Sequence, residues 1–223
     1  MLWGSIAQAD NLVKNGSFES GAGEWTEWNS TQPWYSGATF EHDYAQGSNV
    51  WMPSPYPLSG NSTHSQRKGI TNIHGGLYQL IEVVKGREYI VSGSWSGGIG
   101  GLVANSATAA AWFEIVVYDG VVTPAQIDAG LGGNDVLIAK REYSGNEVYF
   151  FDWETFRGTF KALSNHVTLA FKSGKIGDWD AIATYHDDVA IRLFFDWPMF
   201  FPIIVKRDLP LESAASPVSP DEK

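Results

Sequence analysis

Hydrophobic and polar residues alternate along several stretches of the chain. Between residues 76 and 84, Leu77, Ile81 and Val83 fall on one face, and Gln79 interrupts it. A period of two places successive side chains on opposite faces of a β-strand. The same alternation predicts further strands over residues 89–95, 111–118, 136–143, 148–151, 166–172 and 188–193. About eight to ten strands, separated by turns and without repeated helices, are typical of an all-β jelly roll.

Three stretches depart from this alternation. Residues 123–131 predict one short helix, with Pro124 in its first turn and Gly130 at its end. The glycine-rich run 97–101 predicts a flexible turn. Residues 29–67 contain four prolines, which central strands exclude, so we expect a long loop with one or two edge strands.

The pattern predicts one domain with two extensions. The domain covers residues 11–193, and we find no internal repeat within it. Residues 1–10 form an N-terminal extension in which Ala7 and Ala9 resemble the cleavage end of a signal peptide, although the apolar region is missing. Residues 194–223 begin with an apolar aromatic segment and continue as a Pro/Ser-rich arm that we expect to be extended. We expect the protein to be extracytoplasmic, that is secreted, periplasmic or cell-surface.

Composition narrows the classes of function. The 223 residues are enough to bury a hydrophobic core without disulfide or metal cross-links. The absence of cysteine excludes a disulfide scaffold or a thiolate metal site. A formal net charge of −10 argues against nucleic acid as a partner, because phosphate binding needs clustered Lys and Arg. The same charge suits a protein that binds cations or neutral glycans.

Motifs at both ends of the domain resemble those of a known family. They are Asn11-Leu12-Val13-Lys14-Asn15-Gly16-Ser17-Phe18-Glu19 with Trp25, Leu77-Tyr78-Gln79, Gly86 with Tyr89, Phe156 and Phe160 before Val167-Thr168-Leu169, and Asp187-Asp188-Val189. We read the first motif as a short strand running into a glycine turn. Together the motifs resemble carbohydrate-binding modules with a galactose-binding-like jelly roll, especially the type attached to xylanases and glucanases. The resemblance implies a β-sandwich of two antiparallel sheets, no catalysis, and often a structural calcium ion.

The resemblance also suggests where calcium would bind. By similarity, Glu19 and Asp188 are the side-chain ligands, with carbonyl oxygens from around Ser17. Asp187 is the alternative to Asp188, because adjacent strand residues face opposite ways. Ca²⁺ takes six to eight oxygen ligands, and this mixture of carboxylates and carbonyls would suit it. The alternative is that these carboxylates only cap turns or pair with neighbouring basic residues.

Aromatic residues are the candidates for sugar binding, because sugars stack their C–H surfaces on aromatic rings. The resemblance carries over no binding residue by position. The candidates are the loop residues Trp34, Tyr35, Trp51 and Tyr56, and Trp112 and Tyr118 on the second face of their strand. The alternative is that these rings pack in the core or within loops.

The sequence contains no recognisable catalytic motif, so we expect a protein that is not an enzyme. The alternative to glycan binding is a structural or accessory subunit of a larger extracytoplasmic or membrane-associated complex. Its evidence is the aromatic C-terminal segment, which would contact a protein assembly or a membrane surface unless it packs on its own sandwich. The contact residues would be Phe194, Phe195, Trp197, Phe200 and Phe201.

Overall fold

The computed structural model describes residues 10–35, 38–44, 64–68, 72–100, 109–145, 147–177 and 181–194, with the side chains of 64–67 left out. Within these ranges the chain forms ten strands, a 3₁₀ turn at Pro33–Tyr35 and one helix, α1, at Pro124–Ala129. The strands are β1 Thr26–Asn29, β2 Glu41–Asp43, β3 His64–Lys68, β4 Ile73–Glu82, β5 Glu88–Ile99, β6 Ala110–Asp119, β7 Val136–Ser144, β8 Tyr149–Lys161, β9 His166–Ile176 and β10 Ile182–Leu193.

The strands form two five-stranded sheets. Sheet A has the order β1-β4-β9-β6-β7, and sheet B has the order β2-β3-β10-β5-β8. Every neighbouring pair is antiparallel. The predicted all-β jelly-roll sandwich of two antiparallel sheets is therefore confirmed. The predicted long loop falls largely on residues outside the described ranges, as does the C-terminal arm.

The hydrophobic core lies between the two sheets, as the alternation of hydrophobic and polar residues predicts. Leu77, Phe113 and Phe171 point inward from sheet A, and Val91 and Ile191 meet them from sheet B; all five are fully buried. Burying apolar surface contributes roughly 25 cal/mol per Å². The next residue along each strand faces outward, so each sheet also has an outer face.

The predicted opening strand is wrong. Residues 13–17 and 19–24 form turns, and Asn15 and Phe18 have positive φ angles of 50° and 56°, which a regular strand does not allow. Gln79 holds this segment instead: its side-chain oxygen accepts from the Lys14 N–H (2.8 Å), and its amide donates to the Lys14 carbonyl (2.9 Å). The polar residue that interrupts the β4 pattern thus ties the N-terminal turns to the sheet.

The predicted turn at residues 97–101 is also wrong at its start, because β5 continues to Ile99. A β-bulge lies between Trp95 and Gly97, and a Cβ at Gly98 would lie 2.2 Å from the Tyr149 carbonyl oxygen. Glycine therefore permits close strand approach here and not a turn. The predicted helix is confirmed as α1, with Thr123 as its N-cap and Gly130 as its C-cap.

Helix α1 divides the outer face of sheet A into two parts. At one part, which we call the closed end, Ile127 of α1 is fully buried against the sheet. The buried residues of the closed end are Trp28, Val116, Tyr118, Ile127 and Ala170. The other part, the open end, is formed by neighbouring residues of β4, β9 and β6. No helix in the described ranges is long and apolar enough to cross a membrane.

Candidate functional site

The open end is built on one row of the sheet A register. Gly174 of β9 pairs with His74 of β4 on one side and with Trp112 of β6 on the other. The two rings flank a residue without a side chain, and their centroids lie 5.5 Å apart. A Cβ at Gly174 would lie 2.3 Å from Cζ2 of Trp112, so the indole rests directly on the glycine backbone. The rigid sheet thus fixes the position of Trp112.

The 3₁₀ turn brings a third ring to the same place. The Tyr35 ring lies 5.6 Å from His74 and 6.4 Å from Trp112, centroid to centroid. Burial, and secondarily the charge of Asp128, raises the pKa of Tyr35, so its hydroxyl stays protonated. We call Tyr35, His74 and Trp112 the aromatic platform. Trp34, which precedes Tyr35 in the chain, is 65% exposed.

Helix α1 fixes the orientation of His74. Oδ1 of Asp128 lies 3.0 Å from Nδ1 of His74, and Oδ2 accepts from the Ser30 hydroxyl at 2.7 Å. Burial, followed by the charge of Lys172, lowers the pKa of His74 to about 4, although Asp128 acts in the opposite direction. His74 is therefore neutral near pH 7, donating from Nδ1 to Asp128. Its Nε2 is a buried acceptor without a hydrogen-bond partner among the described residues, and the buried Nε1–H of Trp28 likewise has none.

A row of charged residues lies beside the platform. Glu114 contacts two ammonium groups: Oε2 lies 3.4 Å from Nζ of Lys172, and Oε1 lies 3.4 Å from Nζ of Lys140. Lys140 also contacts Glu142 at 2.6 Å, and this contact is the main reason that the pKa of Lys140 is raised. We call Glu114, Lys140, Glu142 and Lys172 the ion row. Flat rings next to such donors and acceptors suit a ligand with an apolar face and hydroxyl edges.

The predicted sugar-binding residues have three different locations. Tyr35 and Trp112 lie together on the platform, with Trp34 adjoining in the chain. Tyr118 is corrected: it is only 1% exposed, and its hydroxyl donates to the Ile127 carbonyl at 3.3 Å, so it belongs to the closed end and offers no ring to a ligand. Trp51 and Tyr56 lie outside the described residues. They remain predictions.

Sequence reasoning missed His74 and Asp128. The two residues lie 54 positions apart, on a strand and on a helix, and neither belongs to a motif. One signal was available, because Gly174 interrupts an otherwise bulky strand and such a glycine often marks close approach of other groups.

The predicted calcium ligands fit only in part. The N-terminal turns do meet β10: Val189 N–H donates to the Gly16 carbonyl at 2.9 Å, beside a bulge where Asp188 has a φ of 52°. Ser17 and Asp188 line one cleft at this point, together with Arg192.

The other two predicted ligands differ. Asp187 is fully buried, and its Oδ1 accepts from the Asp188 N–H at 2.8 Å. Glu19 is exposed and does not line the cleft. Within the described ranges no three His, Asp or Glu side chains are grouped so that they could hold a metal ion. Calcium therefore stays a prediction, and so does its predicted ligand set of Ser17, Glu19, Asp187 and Asp188.

The predicted docking segment is described only at its first residue. Phe194 is 37% exposed, and its N–H donates to the Glu88 carbonyl at 2.8 Å, which continues the pairing of β10 with β5. Phe195, Trp197, Phe200 and Phe201 lie outside the described residues. Docking through this segment stays a prediction.

Comparison with known proteins finds similarity in structure alone. The sequence matches no protein-family model, and no curated protein matches it. Among solved structures, it is similar to a family 61 carbohydrate-binding module in complex with β-1,4-galactotriose (14% identity, 83% of this chain and 100% of that one, TM-score 0.48). It is similar to the xylan-binding CBM22-1 domain of Paenibacillus barcinonensis Xyn10C (18% identity, 85% and 97%, TM-score 0.42).

A third similar structure is the enzymatically active domain of tailspike protein 4 from bacteriophage CBA120 (14% identity, 82% of this chain and 21% of that one, TM-score 0.45). The solved structures that the chain is similar to thus include carbohydrate-binding modules, the kind of domain that its motifs resemble. At these identities the likeness concerns the fold.

Proposed function

We propose that this protein is a non-catalytic, extracytoplasmic domain that binds a glycan across the open end of sheet A. The observation that carries the proposal is the aromatic platform, in which half-buried Tyr35 and Trp112 rings are held around His74 on the outer face of the sheet. A sugar ring can stack its C–H surface on such rings. Because the sheet fixes Trp112 and Tyr35 packs against it and His74, binding loses little further side-chain entropy.

Polar groups beside the rings suit the hydroxyls of a sugar. The oxygens of Glu114 and the ammonium groups of the ion row can accept and donate within the same small area. A ligand that buries an apolar face and satisfies its hydroxyls at the edge needs both kinds of group. Glu114, Lys140 and Lys172 occupy the register row next to that of the platform, and Glu142 is in register with Trp112 itself. The platform and the ion row together supply both kinds of group.

The contacts of the nearby carboxylates support a non-catalytic role. Asp128 accepts from Ser30 and contacts His74, while Glu114 contacts Lys140 and Lys172. A glycosidase uses one carboxylic acid to protonate the leaving group and a second carboxylate on the opposite side of the bond. Here Asp128 and Glu114 hold other residues of the site in place, and the third described carboxylate of the open end, Glu142, contacts Lys140.

Affinity electrophoresis of the purified domain over a panel of neutral polysaccharides tests the proposal. We expect retardation by at least one glycan, and we expect Trp34→Ala to weaken it with little change in stability, because Trp34 is 65% exposed. Phe150→Ala is the matched control, since Phe150 is an exposed aromatic residue (38%) of β8, in sheet B. A folded protein that no glycan retards would overturn the proposal.

Calcium binding near Asp188 is tested separately by thermal melting. If calcium binds the folded state only, ~100 times its dissociation constant adds roughly 2.7 kcal/mol of stability, and EGTA removes it. Asp188→Asn should abolish the calcium-dependent increase in Tm, because Asp188 lines the cleft beside the N-terminal turns. Equal Tm values in calcium and in EGTA would count against a calcium ion.

A further inference from the structure

The described residues of the open end carry charges of both signs, and most of these groups contact a group of opposite charge. Three carboxylates, those of Glu114, Asp128 and Glu142, lie near two ammonium groups, those of Lys140 and Lys172. His74 adds no charge near pH 7. Among the described residues of the open end, carboxylates therefore outnumber ammonium groups, and the chain as a whole is acidic, with a net charge of −10.

Neither lysine is available to a charged ligand. The Lys172 side chain is only 4% exposed, so its ammonium group is buried against Glu114. Releasing it toward a ligand would separate a largely buried ion pair and leave the Glu114 carboxylate, which is 15% exposed, with Lys140 alone, and that is unfavourable. Lys140 is more exposed, at 37%, but it contacts Glu114 and Glu142 together.

We infer that the open end selects uncharged glycans and rejects glycans that carry carboxylates, such as uronic acids, and that Glu114 sets this selectivity by neutralising both lysines. The inference rests on the proposed function. A ligand carboxylate would lose its hydration on the platform and would meet no free cation among the residues that the structure describes there. Juxtaposed like charges lower affinity and so exclude the wrong partner.

Sugar hydroxyls carry no charge, so the neutralised lysines do not exclude them as they exclude a ligand carboxylate. A paired carboxylate still has free lone pairs, and an ammonium group has three donors, so a sugar hydroxyl can hydrogen-bond to Glu114 or Lys140 without separating the pair. The ion row can therefore bind the edge of a neutral sugar while it excludes a charged one.

The test uses matched polysaccharides that differ in carboxyl content. Neutral and carboxyl-bearing forms of a β-1,4-glucan, a xylan and a galactan are compared by affinity electrophoresis. We expect at least one neutral form to bind the wild-type protein about tenfold or more tightly than its carboxyl-bearing counterpart. Equal or tighter binding of the carboxyl-bearing form would overturn this inference and leave the proposed function standing. Binding of none of the six would overturn both.

Glu114→Gln removes the neutralising charge and nearly preserves the side-chain shape. We expect it to raise affinity for the carboxyl-bearing form about tenfold, because Lys172 then loses the carboxylate it contacts and Lys140 keeps only Glu142. Glu82→Gln is the control, because it makes the same charge change on an exposed residue of β4. Gly76 is the β4 residue in register with Lys172 and Glu114, and Glu82 lies six positions further along the strand. An unchanged preference in Glu114→Gln would contradict the role of Glu114.

Salt dependence provides a readout that needs no variant. Salt screens repulsion between exposed charges. We therefore expect added salt to strengthen the weak binding of the carboxyl-bearing form and to leave binding of the neutral form unchanged. Weaker binding of the carboxyl-bearing form at higher salt would indicate attraction and would overturn the inference.

Discussion

The two ends of the outer face of sheet A are built from the same strands, but the aromatic side chains of one end are buried, whereas Tyr35 and Trp112 at the other remain partly exposed. Trp112 and Tyr118 lie six residues apart on the same face of β6. Tyr118 is 1% exposed beneath α1, whereas Trp112 is half-buried beside Tyr35. The strand places both rings outward, and the segment that covers the sheet decides which ring can meet a ligand.

Helix α1 connects the two ends. Its Ile127 fills the closed end against Tyr118 and Val116, and the next residue, Asp128, contacts His74 at the open end. Folding of the helix and orientation of the platform are therefore linked. Variants that act on one end and not on the other test whether the two ends have separate roles.

Tyr118→Ala should have the largest effect, and on stability. Truncating a fully buried aromatic residue costs about 3–5 kcal/mol. The measurement is the free energy of unfolding in urea. Tyr118→Phe loses only the 3.3 Å hydrogen bond to Ile127 and should cost about 1 kcal/mol. A small loss of unfolding free energy in Tyr118→Ala would show that packing at the closed end contributes little to stability.

Acidification should lower stability through two buried histidines. The pKa of His186, which stacks on Phe171 at 4.1 Å, is lowered to about 3, mainly by burial and secondarily by His42. The pKa of His74 is lowered to about 4. Both are near 6.5 in an unfolded chain, so below that pH the unfolded state binds more protons and stability falls.

The size of this loss can be assigned to each histidine. One pKa unit corresponds to about 1.4 kcal/mol, so each residue should cost on the order of 2 kcal/mol between pH 6.5 and pH 5, which lies above both folded pKa values. Urea unfolding at pH 7 and pH 5 measures the loss. His74→Gln should remove its own share and leave that of His186. An acid-induced loss of stability as large as in the wild type would show that His74 is not held neutral.

Much of the sandwich was predictable from the sequence, because a buried sheet face imposes a period of two that β4, β5, β6 and β9 all show. Strand 136–143 and helix 123–131 also agree with β7 and α1 to within a few residues. The opening strand failed because Gln79 replaces ladder hydrogen bonds with side-chain ones. A local pattern does not contain that information.

The site was less predictable for a related reason. Trp112 and Tyr118 look the same in the pattern, and only the distant segment that forms α1 distinguishes them. The platform also depends on Gly174, Tyr35 and His74 from three separate parts of the chain. The residue types indicated that aromatic rings would contact the ligand, but tertiary packing determines which of those rings remain accessible.

Trp112→Ala should act on binding more than on stability. Central aromatic residues of a binding site often contribute about 2 kcal/mol or more, so we expect affinity for the retarding glycan to fall roughly 30-fold. Gly174→Ala should reproduce part of the loss, because its Cβ would displace the indole that it supports. Unchanged affinity in both variants, with folding intact, would place the glycan elsewhere.

Thr123→Ala should have the smallest effect and tests the link between the two ends. Thr123 accepts from the Gln126 N–H, and Gln126 Oε1 accepts from the Thr123 N–H at 2.9 Å, so the variant removes one half of a capping box. Losing a cap costs about 1 kcal/mol. Since Asp128 orients His74 from the same helix, glycan affinity should fall slightly as well. Exposed Lys161→Ala, on β8, is the control. A loss of stability with no change in affinity would mean that the sheet and the 3₁₀ turn hold the platform without help from α1.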